Sequence, residues 1–304
     1  MISNPAASVR ARLANLVATR GGDLQTLLDE YANERLLCRL SRSPHADRFV
    51  LKGATLFTIW TGKPHRATKD IDLLGYGDDS AEHIEAVFRE VAGIEIPEDG
   101  IIFDPASVHS EPIRKETEYG GTRILIRGKL ANVKLNMQVD VGFGDSVSPP
   151  PEWTTVPCLL AGLPATSVRA YPREVAIAEK YAAMVNLAIA NSRMKDFYDV
   201  WYLATTFDFD GDRLAAAIRA TFERRGTPLP TEPPVALTPE FAADPGKAVQ
   251  WKAFVRKARV PGAVALDEVV KMNAAFLWPV VAFDGALPAW HWAAGGPWAT
   301  WYVA

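Results

Sequence analysis

The chain has 304 residues, 48% of them hydrophobic, which suffices for one large domain or two medium ones with a sizeable core and no staples. A formal net charge of −3 excludes a globally basic nucleic-acid binder, so any such role has to rest on local clustering. Cys38 and Cys158 form no C-x-x-C pair, which argues against a thiolate metal site and fits a reducing cytoplasm; no apolar run matches a signal peptide or a bilayer-spanning helix.

In chain order, Ser8–Ala18 and Leu24–Leu40 read as amphipathic helices parted by Gly21-Gly22, with Asp23 placed to cap the second. From Arg39 the charge changes character. Arg39, Arg42, Arg48, Lys52, Lys63, Arg66 and Lys69 stand against one acid, Asp47, before Asp70. Such a run suits a metal-bound polyphosphate, and it equally suits a solvated basic face. His45 and His65 read as loop residues, since nothing pairs them at ligand spacing. Phe49–Leu51 reads as a short strand running into Gly53, and Ala54–Trp60 as a buried helical turn. A glycine at that junction lets backbone N–H groups approach a phosphate. The next strand carries Asp70 and Asp72 and closes at Gly75-Tyr76-Gly77. Alternation puts both carboxylates on one face, with Ile71 and Leu73 on the other. Like charges so placed repel, and a divalent cation neutralises them well; a solvated acidic edge is the alternative.

Ser80–Val91 reads as a helix capped by Ser80, followed by strands at Ile101–Val108, Arg123–Gly128 and Leu130–Val141, the last two joined at Gly128. Lys134, Asn136, Gln138 and Asp140 share one face of the last strand, which makes Asp140 either a third carboxylate or an ordinary acidic strand end. Pro149-Pro150-Pro151 closes the β-rich half, before a last strand at Val156–Leu160. Pro172 opens a long helix at its first position, apolar on two sides, with Lys180 in line with Ile177, Met184 and Leu187. That lysine must find an anion or reach water along its stem. Asp196 and Asp199 share one face of the following helix, where Lys195 can also pair with Asp199. Helices at Arg213–Arg225, Trp251–Val255 and Leu266–Phe276 follow, with a proline-rich loop at Gly226–Pro239. Trp278, Trp290, Trp292, Trp298 and Trp301 crowd the tail, either packing on the body or offering a partner or RNA surface.

Together LKGATLF, RATKDIDLL, NMQVDVGFGD, YPREVAIAEKYAAMV and RMKDFYDVWYL, with FAADPGKAVQWKAFVRK further on, resemble the AbiEii/AbiGii-type nucleotidyltransferase toxins. That family includes the mycobacterial MenT proteins and lies within the polymerase-β nucleotidyltransferase superfamily. The resemblance implies an α/β (α+β) fold: a polymerase-β-type mixed sheet with flanking helices over residues 1–165, then a mainly helical bundle over 166–304. It implies a Mg²⁺-dependent nucleotidyltransferase of a toxin–antitoxin system. Such an enzyme moves NMP from NTP to an RNA acceptor, above all the tRNA 3′ end, releases pyrophosphate and blocks translation. By the same resemblance Asp70 and Asp72 are catalytic carboxylates that hold metal, and Lys180 and an aspartate matching Asp196 or Asp199 are catalytic too, Asp196 being the one chosen here; the strand reading adds Asp140 to the metal site. Gly53, Ala54, Arg66, Thr68, Lys69 and Asp199 contact the nucleotide. A cognate antitoxin is the implied protein partner, in the cytoplasm and away from membranes. Ala54 stands where the superfamily usually has serine or glycine, so that a hydroxyl contact to phosphate is either missing or supplied by Thr55 or Thr68. Two alternatives remain: an aminoglycoside-type small-molecule nucleotidyltransferase, or a non-catalytic module that binds nucleotide or antitoxin.

Overall fold

The computed structural model describes residues 4–62, 69–113, 120–258, 260, 264–282, 290–295 and 300–303. The chain divides into two compact units, one of Met1–Asp145 with Glu152–Tyr171, the other of Ser146–Pro151 with Pro172–Ala304.

The first unit opens with α1 (Pro5–Arg20) and α2 (Leu24–Arg42), started by Asn4 and Asp23, whose side chains accept from the amides of Ala7 and Thr26. Then come β1 (Phe49–Lys52), α3 (Thr55–Thr61), β2 (Asp70–Gly75), α4 (Ala81–Gly93), β3 (Ile101–Ile113), β4 (Gly121–Leu130), β5 (Val133–Phe143), β6 (Glu152–Val156) and β7 (Thr166–Ala170). The seven strands form one mixed sheet in the order β3-β4-β5-β2-β1-β7-β6. Strand β2 runs parallel to β5 and β1 parallel to β7, and the other neighbours are antiparallel. Leu51, Ile71, Leu73, Val139 and Val141 are buried on one face, where α2 packs on β5 and β7 and α4 on β3 and β4. The other face, through the middle of the sheet, carries Lys52, Asp70, Asp72 and Asp140.

Several local expectations move. The β4–β5 turn lies at Ala131-Asn132, with Ala131 at φ 52°, rather than at Gly128. Gly128 instead faces Phe103 across the β3–β4 pair, where a Cβ would stand 2.9 Å from the phenyl ring. The strand expected at 156–160 sits at Glu152–Val156, and β7 was not foreseen. Ser80 precedes α4, but its side chain makes no capping bond. Arg39 is not part of a basic surface. It is 1% exposed, and its guanidinium meets Asp99 at 2.7 and 3.2 Å. Its remaining N–H groups reach the carbonyls of Ile94, Ile101 and Arg35, and its charge lies over the Phe103 ring.

The second unit holds α5 (Arg173–Leu187), α6 (Met194–Thr206), β8 (Phe209–Asp210), α7 (Gly211–Arg224), α8 (Pro239–Ala243), α9 (Pro245–Ala258), α10 (Leu266–Ala282), β9 (Trp290–Ala293) and β10 (Thr300–Val303). Pro172 occupies the cap position before α5 rather than its first turn. The helical half thus includes a small three-stranded sheet, β10-β9-β8, in which two strands of the tryptophan-rich tail pair onto β8. Trp292 is 1% exposed and donates to the Ala204 carbonyl; Trp301 donates to the Phe276 carbonyl and stacks on that ring at 5.8 Å. These tryptophans pack on their own unit, and Trp298 lies outside the described residues.

Candidate active site

Strand register builds one cluster, in the first unit. Asp72 on β2 pairs with Lys52 on β1 and with Asp140 on β5, and Asp140 pairs with Arg123 on β4. Directly paired residues share a sheet face, so these four strands carry one transverse row: Arg123, Asp140, Asp72, Lys52. Asp70 stands on the same face two residues before Asp72. Both are half-buried, while Ile71 between them is 1% exposed in the core. The cations at the ends of the row are engaged. Lys52 Nζ meets Asp145 at 2.5 Å and lies over the Tyr171 ring, whose hydroxyl also reaches Asp145. Arg123 donates from Nε and Nη2 to the two oxygens of Asp140, each at 2.9 Å, and Gln138 adds a bond at 3.2 Å. Those bonds from Asp140 hold the Arg123 pKa above its ordinary value, and the charge of Asp70 acts in the same direction.

Gly53 fixes how Asp72 sits. It has φ +73°, and a Cβ there would overlap the Asp72 carboxylate, 2.7 Å from Cγ. The sequence suggested that this glycine admits a phosphate at a helix start. In the structure its missing side chain also makes room for the carboxylate of Asp72. Ala54 follows in helical conformation without a side-chain cap, and α3 is only seven residues long.

The second unit carries the other cluster. Lys180, on α5, meets Asp196 at 3.1 Å and Asp199 at 2.9 Å, both on α6. Both aspartates are 0% exposed, so desolvation is offset by close pairing with the ammonium. Arg193 meets the second oxygen of Asp196 at 2.7 Å. The turn between α5 and α6 is tied by Asn191, which donates to the Ala183 carbonyl and accepts from the Arg193 amide. The expected Lys195–Asp199 pair gives way to Lys180, and Lys195 is exposed. Lys180 therefore resolves its burial by finding anions.

Among the described residues the basic run does not form one surface. Arg39 is buried, Lys52 is held by Asp145, Arg48 packs against Gly77, and His45 meets Glu90. Arg42 and Lys69 are exposed; Lys63, His65, Arg66 and Thr68 lie outside the described residues. Arg123 and Asn191 were not singled out from the sequence, because only strand pairing and the α5–α6 turn bring them to these clusters.

Asp70 and Asp72, hard oxygen donors on one strand face, suit a divalent cation such as Mg²⁺. Asp140 lies beside them as expected, and in this arrangement Arg123 donates to both its oxygens. No cluster of three or more metal-ligating side chains forms among the described residues. No helix among them is long and apolar enough to cross a membrane.

A family profile described as nucleotidyl transferase AbiEii toxin, type IV TA system, matches residues 35–271. A candidate nucleotidyltransferase from H. pylori, known from its crystal structure, is 15% identical and aligns over 85% of this chain and 96% of its own, with a TM-score of 0.50. JHP933 from Helicobacter pylori is 15% identical over 84% of this chain and 91% of its own, with a TM-score of 0.49. At such identity the first likeness shows a shared fold alone. No curated protein matches the chain. With most of its length, including both clusters, inside the matched region, the chain belongs to the AbiEii nucleotidyltransferase toxin family of type IV toxin–antitoxin systems.

Proposed function

We propose that the protein transfers NMP from an NTP to an RNA acceptor, above all the tRNA 3′ end, with release of pyrophosphate and a block of translation. One observation supports this reading most: in a chain of this family, Asp70 and Asp72 share a strand face and Asp72 is seated against Gly53. These two carboxylates would hold Mg²⁺, which when bound activates an acceptor hydroxyl and neutralises triphosphate charge. The acceptor oxygen bonds the α-phosphorus as the bond to the bridging oxygen breaks; pyrophosphate leaves and the hydroxyl proton passes to solvent. Positioning and charge stabilisation supply most of the rate in such transfers. Lys180, oriented by Asp196 and Asp199, balances charge on the triphosphate. Gly53, Ala54, Arg66, Thr68 and Lys69 are the proposed nucleotide contacts. The unit that ends at Tyr171 would form the nucleotidyltransferase domain and the unit that runs on from Pro172 its mainly helical companion, a boundary past the expected 165/166 because β7 joins the sheet. The setting would be the cytoplasm, with a cognate antitoxin holding the activity off.

Incubation with each α-labelled NTP and Mg²⁺, together with total tRNA or with aminoglycosides, tests this. Label is expected on RNA. Label on the drug would make the enzyme a small-molecule nucleotidyltransferase, and label on neither would make it a binding module.

A further inference from the structure

Arg123 presents its planar fork to Asp140, with two bonds of 2.9 Å to two different oxygens. This is the strongest geometry a guanidinium makes with a carboxylate, and the guanidinium is a permanent cation. Asp140 is the strand neighbour of Asp72, and the charge of Asp70 also reaches Arg123. The acidic row is therefore compensated at this end by an organic cation. A divalent ion that recruits Asp140 competes with these two charge-assisted bonds. The two side chains differ in exposure, 35% for Arg123 and 19% for Asp140, so the arginine is the partner with more freedom to swing toward an incoming anion. At the other end of the row, Lys52 meets Asp145.

We propose that Arg123 is a resident counter-cation that withholds Asp140 from divalent metal in the nucleotide-free protein, and that Asp140 joins the site only when a phosphate takes the guanidinium. The proposal rests on the reading that Asp70 and Asp72 bind the metal. Arg123 is thus a positioning residue acting through Asp140.

Mn²⁺ titration of the full chain without nucleotide, followed by electron paramagnetic resonance, tests it. Arg123→Met frees Asp140 and is expected to tighten Mn²⁺ binding by about tenfold or more. The double variant Arg123→Met/Asp140→Asn has the same net charge as the wild type, so general field effects cancel. It is expected to bind Mn²⁺ within about twofold of the wild type, because neither protein offers Asp140. A double variant about tenfold weaker would mean that Asp140 is already a ligand and would overturn the proposal. So would an Arg123→Met protein that binds no tighter than the wild type. Should Arg123→Met fail to show a native melting transition, Arg123→Gln gives the same comparison. Asp72→Asn serves as the separate control: unchanged Mn²⁺ binding there would defeat the underlying metal reading rather than the role of Arg123.

Discussion

Gly53→Ala is expected to lower the transfer rate by about a hundredfold or more, the scale on which small displacements of reacting groups act. Two effects coincide. A non-glycine residue in the left-handed region costs about 1–2 kcal/mol. The added Cβ also strikes the carboxylate of Asp72, which has to move from its place on β2. Gly62 provides the matched control. It has φ +74°, close to that of Gly53, but open space where its Cβ would go. Gly62→Ala should therefore lose a similar amount of stability while keeping most of its rate. Equal rates for the two variants, measured alongside denaturant unfolding, would contradict the view that Gly53 exists to seat Asp72.

The second large effect concerns stability. Asp99→Ala leaves the Arg39 guanidinium buried with its charge uncompensated and should destabilise the protein by about 3–5 kcal/mol. On thermal unfolding this corresponds to a fall in Tm of roughly 10 °C or more. The carboxylate of Asp99 also accepts from the Ile101 amide, and its carbonyl accepts from the Tyr31 hydroxyl, so the connection into β3 loosens with it. Replacing both partners, as Arg39→Met with Asp99→Ala, should recover part of the loss, since no buried charge is then left alone. A single variant that melts within about 2 °C of the wild type would show that Arg39 finds compensation elsewhere.

Local patterns carried a good part of the fold. The alternation around Asp70 and Asp72 gave β2 and the shared face of the two carboxylates, and the two apolar stripes gave α5. Asp23 and the Gly21-Gly22 break marked where α1 ends and α2 begins, while the start of α1 at Asn4 was not read. What local patterns cannot carry is pairing between distant segments. The row of Arg123, Asp140, Asp72 and Lys52 exists through the register of four strands; alternation offered Asp140 as a third carboxylate, but nothing local put Arg123 or Lys52 in line with it. Charge type does not report burial, so Arg39 and Lys52 read as members of a basic run until Asp99 and Asp145 are found beside them. Lys180 was legible as a problem, an ammonium in an apolar stripe, and its solution by Asp196 and Asp199 required the packing of α5 against α6.

The strand pair on β2 is the claim on which the rest depends. Its most direct test is the rate of label transfer from α-labelled NTP to total tRNA by Asp72→Asn and wild-type protein, with thermal unfolding recorded on the same samples. The account predicts a fall on the order of 10³-fold with little change in Tm, because the substitution keeps the side-chain shape and removes the charge. Transfer by Asp72→Asn at a rate near that of the wild type would contradict it.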